Sequence, residues 1–103
     1  MEVVRFDCDG YLVSGTWDVQ VAKNVARQLD VELTEDHWNI IECVRCYWVV
    51  SGRSPSMRPL VKLIQNHLGR ELGNSITLSR LFPPPTSGCV AKISGTPKPS
   101  DCL

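Results

Sequence analysis

Two short apolar runs, Val3-Val4-Arg5-Phe6 and Tyr11-Leu12-Val13, flank the polar stretch Asp7-Cys8-Asp9-Gly10. An Asp-Gly pair between such runs predicts a β-hairpin. From Thr16 the period changes: Trp17, Val21, Val25 and Leu29 recur at helical spacing, which predicts an amphipathic helix over 17–29 with its cap near Thr16. Thr34 then offers an N-cap, and Glu35 and Asp36 fill a first turn where the helix dipole favours acids. This second helix should run to about Val50. Its apolar residues Trp38, Ile41, Val44, Tyr47, Trp48 and Val49 cover more than half its circumference, as a central helix touched from several sides would require. The run Ser51-Gly52-Arg53-Ser54-Pro55-Ser56 breaks it. Helix resumes from Met57 to Leu68 along a Leu60, Ile64, Leu68 seam, and Gly69 ends it. A short helix is expected near Ser75 to Leu81, before Pro83-Pro84-Pro85 forbids continuation.

Gly95, Pro97 and Pro99 punctuate the final stretch, so Lys92 to Leu103 is expected to be neither helix nor strand. The predicted fold is mostly α: a small helical bundle over residues 1–82 with an N-terminal β-hairpin, and a flexible C-terminal arm over residues 83–103. A length of 103 residues fits one domain with one modest core. The chain has no apolar run long enough to span a bilayer, and its first residues lack a secretory pattern, so a cytoplasmic protein without membrane insertion is expected. Formal net charge is zero, but it is unevenly spread. Acids dominate residues 1–52, whereas Arg53, Arg58, Lys62, Arg70 and Arg80 follow with only Glu71 against them. Arg53, Arg58, Lys62 and Arg80 are therefore candidates for docking an anionic partner, against the plainer reading of a solvated helix face.

Five cysteines, Cys8, Cys43, Cys46, Cys89 and Cys102, are too scattered for a secreted disulfide framework. Cys43 and Cys46 form a C-x-x-C in the middle of a predicted helix. A redox pair of this kind gains its low pKa at a helix N-terminus, and a closed zinc site needs four ligands, so the two are expected to be buried and inert. His37 and His67 have no neighbours arranged as a catalytic triad and are expected to be structural or exposed. No phosphate-binding glycine loop, metalloprotease motif or carboxylate pair supports hydrolase or nucleotide chemistry, and no cofactor or metal is implied. Cys102 stands out. It lies at the tip of a polar, proline-stiffened tail, with Asp101 and the terminal carboxylate as negative neighbours that disfavour its thiolate. Activation would then fall to a partner's pocket, to Lys98, or to the basic helix. Cys89, at the base of the arm, is a possible second thiol, and nothing assigns a role to Cys8.

In order along the chain, Asp9-Gly10-Tyr11-Leu12, Trp17, Leu33-Thr34, His37-Trp38, Arg45, Tyr47 and Ser54-Pro55 form a pattern that continues through Arg58, Leu60, Lys62, Gly73-Asn74-Ser75 and Leu81-Phe82-Pro83. It ends with Lys92-Ile93, Gly95, Pro97-Lys98-Pro99 and Cys102. Together these resemble the DsrC/TusE family of sulfur-relay proteins over nearly the whole chain. The resemblance implies a persulfide carrier of sulfurtransferase type rather than a stand-alone enzyme. Sulfane sulfur would sit on Cys102, and Lys92, Gly95, Pro97, Lys98 and Pro99 would form the arm and its docking elements.

The resemblance implies a sulfur donor of the TusBCD/DsrEFH type and an acceptor such as a tRNA 2-thiouridylase or dissimilatory sulfite reductase. In the DsrC branch a second cysteine stands directly before the Lys-Ile pair. Here that residue is Ala91, and Cys89 lies two positions earlier, which points to the TusE-like branch and the tRNA 2-thiouridine pathway. Two alternatives stay open: a DsrC-like partner of dissimilatory sulfite reductase that uses Cys89 with Cys102, and a DNA-binding regulator with a helix-turn-helix at residues 51–69. The neutral charge and the scarcity of polar residues suited to base edges argue against direct nucleic-acid binding.

Overall fold

The computed structural model describes residues 4–99. Cys102, which carries the central expectation, lies outside the described residues. The chain opens with the antiparallel pair β1 (Arg5–Phe6) and β2 (Leu12–Ser14), in which Arg5 faces Ser14 and Phe6 faces Leu12 across a local irregularity. Asp7 shapes the turn, because its Oδ1 accepts hydrogen bonds from the backbone N–H of Asp9 at 3.0 Å and of Tyr11 at 2.9 Å. Gly10 supplies the positive φ of 93° that the reversal requires.

Five helices follow: α1 (Val19–Gln28), α2 (Glu35–Ser51), α3 (Met57–Leu68), α4 (Ser75–Leu81) and α5 (Thr86–Ser94). The first starts later than the periodicity indicates. Asp18, not Thr16, is its cap and accepts from the Val21 N–H at 2.9 Å, which leaves Trp17 outside the helix. Thr34 caps α2 as expected, and the left-handed Gly52 closes it at φ 76°. Asn74 caps α4 by accepting from the Thr77 N–H at 2.8 Å.

The fifth helix corrects the reading of residues 83–103 as an arm and of Lys92 onward as non-helical. Its residues Thr86 to Ala91, together with Ile93 and Ser94, are buried, and it packs against α1, α2 and α3. The prolines fall outside it: Pro85 occupies the cap position before its first turn, where a missing N–H costs nothing, and Gly95 ends it at φ 70°. The core is therefore built around α5, with Val21, Val25, Ile40, Ile41, Leu60 and Ile64 from the other helices enclosing Val90 and Ile93. Phe82, at the end of α4, is fully enclosed as well.

Candidate functional site: the anchored root of the C-terminal segment

Ser94 to Pro99 leaves the end of α5 and crosses the surface between α2 and the hairpin. Helix hydrogen bonding leaves carbonyls unpaired at a C-terminus, and here side chains from other elements take them up. Arg45 of α2 donates from Nη1 to the Ser94 carbonyl at 2.6 Å, and Trp17 donates from Nε1 to the Ile93 carbonyl at 2.9 Å. The Arg45 guanidinium also lies 4.0 Å from the Trp17 ring centre and 5.6 Å from that of Trp48. A planar, weakly hydrated cation between two indoles can make the hydrogen bond and both ring contacts at once, which an ammonium could not do as well. Burial lowers the Arg45 pKa from its ordinary value of 12.5, and a nearby Cys46 thiolate opposes that shift.

Gly95 turns beneath this cluster. A Cβ there would collide with the Trp17 indole, and the positive φ independently favours glycine. Thr96 is fully buried, and Ser54 Oγ lies 2.7 Å from Thr96 Oγ1 and within hydrogen-bond distance of the Pro97 carbonyl. Lys98 then reaches the hairpin turn, with its Nζ 3.6 Å from Asp9 Oδ2. Lys92, one turn back in α5, places its ammonium 5.3 Å from the Tyr11 ring centre. Buried anchors thus hold the segment as far as Thr96. The Lys98–Asp9 pair beyond them is half exposed, and such pairs contribute about 0–1 kcal/mol. The Ser94 hydroxyl is buried without a partner among the described residues.

The predicted docking residues therefore separate. Lys92, Gly95, Pro97 and Lys98 meet at this root, together with the buried Pro99. Arg53, Arg58 and Lys62 are exposed in the α2–α3 turn and on α3. Arg80 lines a different depression with Asp30, Glu32 and His37. Residues 51–69 do contain a turn and a helix, but the turn faces inward: Ser54 and Pro55 are buried and Ser54 holds the C-terminal segment. His37 is structural, as expected. Its Nδ1 accepts from the Thr34 N–H at 3.1 Å, so Nε2 donates to the Leu81 carbonyl at 2.7 Å. His67 is exposed.

The thiols divide as well. Cys89 is 6% exposed in α5, and burial pushes its pKa up to about 11, with Lys92 pulling weakly the other way. Cys8 is exposed in the hairpin turn. Cys43 and Cys46 depart from the expectation of burial: the first is half-buried and the second exposed, because α2 turns that face outward. Arg45, Trp17, Ser54 and Asp9 carry the root; all four stand in the family pattern, but residue-by-residue reading placed Trp17, Ser54 and Asp9 only in helix, turn and hairpin and gave Arg45 no role. The available signal was the arginine itself, set in a largely apolar helix three positions before Trp48.

Among the described residues no helix is long and apolar enough to cross a membrane. The family model described as DsrC-like protein matches residues 1–103. Sulfurtransferase TusE of Buchnera aphidicola subsp. Schizaphis graminum is 40% identical over 103 residues, a match that covers 99% of this chain and 90% of that protein. Sulfurtransferase TusE of Photorhabdus laumondii is 40% identical over 101 residues, 97% of this chain and 91% of its own. The solution structure of Allochromatium vinosum DsrC superposes with a TM-score of 0.86 at 35% identity, covering 100% of both chains. The oxidized gamma-subunit of dissimilatory sulfite reductase (DsrC) from Archaeoglobus fulgidus gives a TM-score of 0.80 at 36% identity, covering 97% of this chain and 92% of its own. In sequence and in fold alike, this chain belongs to the DsrC-like family of sulfur-relay proteins.

Proposed function

We propose that the protein is a single-thiol sulfur carrier of the TusE type, with Cys102 as the residue that holds the cargo. The Cys102 thiolate attacks the outer sulfur of a donor's cysteine persulfide. The donor's S–S bond breaks, its cysteine leaves as a thiolate, and Cys102 becomes the persulfide. Transfer to the acceptor repeats the step in the other direction, and the sulfane sulfur keeps its oxidation level throughout, so no external oxidant or reductant is needed. Relatives named sulfurtransferase, matched over nearly their whole length, support this reading, as does the buried Ala91 at the position before Lys92-Ile93. The donor is taken to be of the TusBCD/DsrEFH type and the acceptor a tRNA 2-thiouridylase, in keeping with the TusE names.

The observation that carries the single-thiol form is the burial of Cys89. A thiol with its pKa near 11 is almost wholly protonated at neutral pH, and the protonated thiol is a poor nucleophile. Cys102 is left as the exchanging thiol of the C-terminal segment. The root described above would act as its pivot, since only Ser100 and Asp101 stand between Pro99 and Cys102 and the chain extends by at most about 3.6 Å per residue. Lys98, held only by an exposed ion pair, is free to exchange Asp9 for an acidic group on a partner.

The test is sulfur transfer from a persulfidated donor protein, with alkylation and peptide mass spectrometry to locate each added sulfur. One sulfur atom is expected on Cys102 in the wild type and in Cys89→Ala, and none in Cys102→Ser. A sulfur bridge between Cys89 and Cys102 would overturn the single-thiol form, and an unmodified Cys102 would sink the carrier reading itself.

A further inference from the structure

The single-thiol relay proposed above makes no use of Cys43 and Cys46, yet their setting is not that of inert core residues. They stand one turn apart on α2, the burial of Cys43 being partial and Cys46 being exposed. Cys46, but not Cys43, lines a groove of about 330 Å³ together with Trp17, Trp38, Ile41, Glu42 and Arg45.

Helix geometry decides what such a pair can hold. Positions three apart on a helix keep their Cβ atoms about 5–6 Å from each other, whereas a disulfide needs about 3.5–4.5 Å. Direct oxidation would therefore strain α2. An atom inserted between the sulfurs relieves the mismatch, because two bonds of about 2.3 Å, the length zinc makes to thiolate, separate the sulfurs by up to about 4.6 Å against about 2.0 Å in a disulfide. Among the described residues no third His, Cys, Asp or Glu joins the pair to form a larger ligand set. That rules against four-coordinate zinc there and suits an ion content with two thiolates. Soft thiolates select Cu(I), zinc and iron–sulfur clusters, and of these zinc and the clusters take four protein ligands, which leaves monovalent copper for a pair.

We infer that Cys43 and Cys46 form a two-coordinate site for a soft monovalent cation of the Cu(I) class on the outward face of α2. Binding is a ligand exchange without redox: both thiols lose a proton, copper stays monovalent, and the resulting bis-thiolate complex carries one negative charge. Arg45 lies next to that charge and offsets it. The same guanidinium holds the Ser94 carbonyl, so an occupied site sits one residue from the anchor of the C-terminal segment.

The experiment titrates full-length, reduced, anaerobic protein with Cu(I) buffered by a chromogenic chelator, in a Cys8→Ser/Cys102→Ser background that leaves the pair and the buried Cys89. One Cu(I) per chain is expected. Adding Cys46→Ser should weaken binding by about 100-fold or more, in proportion to what each thiolate contributes in structural metal sites. Undiminished affinity after Cys46→Ser overturns the inference, and so does failure of the background protein to bind Cu(I). Cys46 is exposed, so its replacement leaves the fold standing, and circular dichroism checks this. Should Cys43→Ser unfold the chain, Cys46→Ser decides alone. Sulfur transfer is not read out here, so neither result bears on the role of Cys102.

Discussion

Helices α2 and α5 pack against each other and contrast in almost every respect. The former is 17 residues long and rich in large apolar side chains, yet only His37, Ile40, Ile41 and Val44 are buried, while Val49 and Val50 are 75% and 90% exposed. The latter has nine residues, most of them small or polar, and eight are buried. Burial here follows position and size as much as hydrophobicity. Ser87, Gly88 and Ala91 let neighbouring elements come close, while the outer end of α2 carries more apolar surface than the core can cover.

The sharpest test of this contrast pairs one truncation in each helix. Ile93 is fully buried in the middle of the core cluster, so Ile93→Ala should cost about 2–5 kcal/mol through lost burial and an unfilled cavity. Val50→Ala removes more than one methyl group from the other helix, yet it should stay within about 0.5 kcal/mol because little there is buried. Urea denaturation midpoints measure both. Equal losses would mean that α2 and not α5 is the organising helix.

A smaller effect is expected where the two helices are tied together. Arg45→Met keeps an unbranched stem near Trp17 but removes the donor to the Ser94 carbonyl. Leaving that buried carbonyl unpaired should cost about 1–3 kcal/mol. Hydrogen exchange reads the consequence locally: amides from Gly95 to Lys98 should exchange faster, while those in α3 hold their protection to the extent that global stability allows. Unchanged exchange at Gly95 to Lys98 would show that Trp17 and Ser54 suffice to fix the root.

Much of this architecture was legible in the chain. Thr34, Gly52 and Gly69 punctuate the helices where cap and breaker chemistry places them, and α3 and α4 have the predicted bounds of Met57–Leu68 and Ser75–Leu81. The misread parts share a cause, which is that local signals were weighed without the partner that reverses them. Trp17 fits the α1 periodicity, but its indole is taken by Ile93 from 76 positions away. The prolines and Gly95 among residues 83–99 signal a loop, yet they fall just outside α5 and leave its interior free to be helical. Its small residues give no strong apolar stripe, and only the facing surfaces of α1, α2 and α3 make them a core. The outward rotation of Cys46 was likewise invisible, since an apolar majority around α2 does not say which remaining face meets water.

The same contrast between the helices predicts a difference in thiol chemistry with pH. At pH 8 a thiol-alkylating reagent should modify Cys8 and Cys46, which are exposed, and leave Cys89 untouched. Cys89 should become reactive only as pH approaches its raised pKa of about 11. Linkage fixes the sign for stability. In the unfolded chain this thiol loses its proton near the ordinary value of 9.0, whereas the folded chain retains it to about 11, so alkali favours unfolding. Stability owed to the buried, neutral thiol is complete below pH 9 and lost as pH rises from about 9 to about 11. Cys89→Ala should flatten that part of the pH profile, and Cys46→Ala should leave it in place. If both variants keep the same alkaline slope, another group causes it. If Cys89 instead alkylates at pH 8 as fast as Cys46, then α5 opens far more readily than a core helix can, and Cys89 regains its claim as a second thiol of the relay.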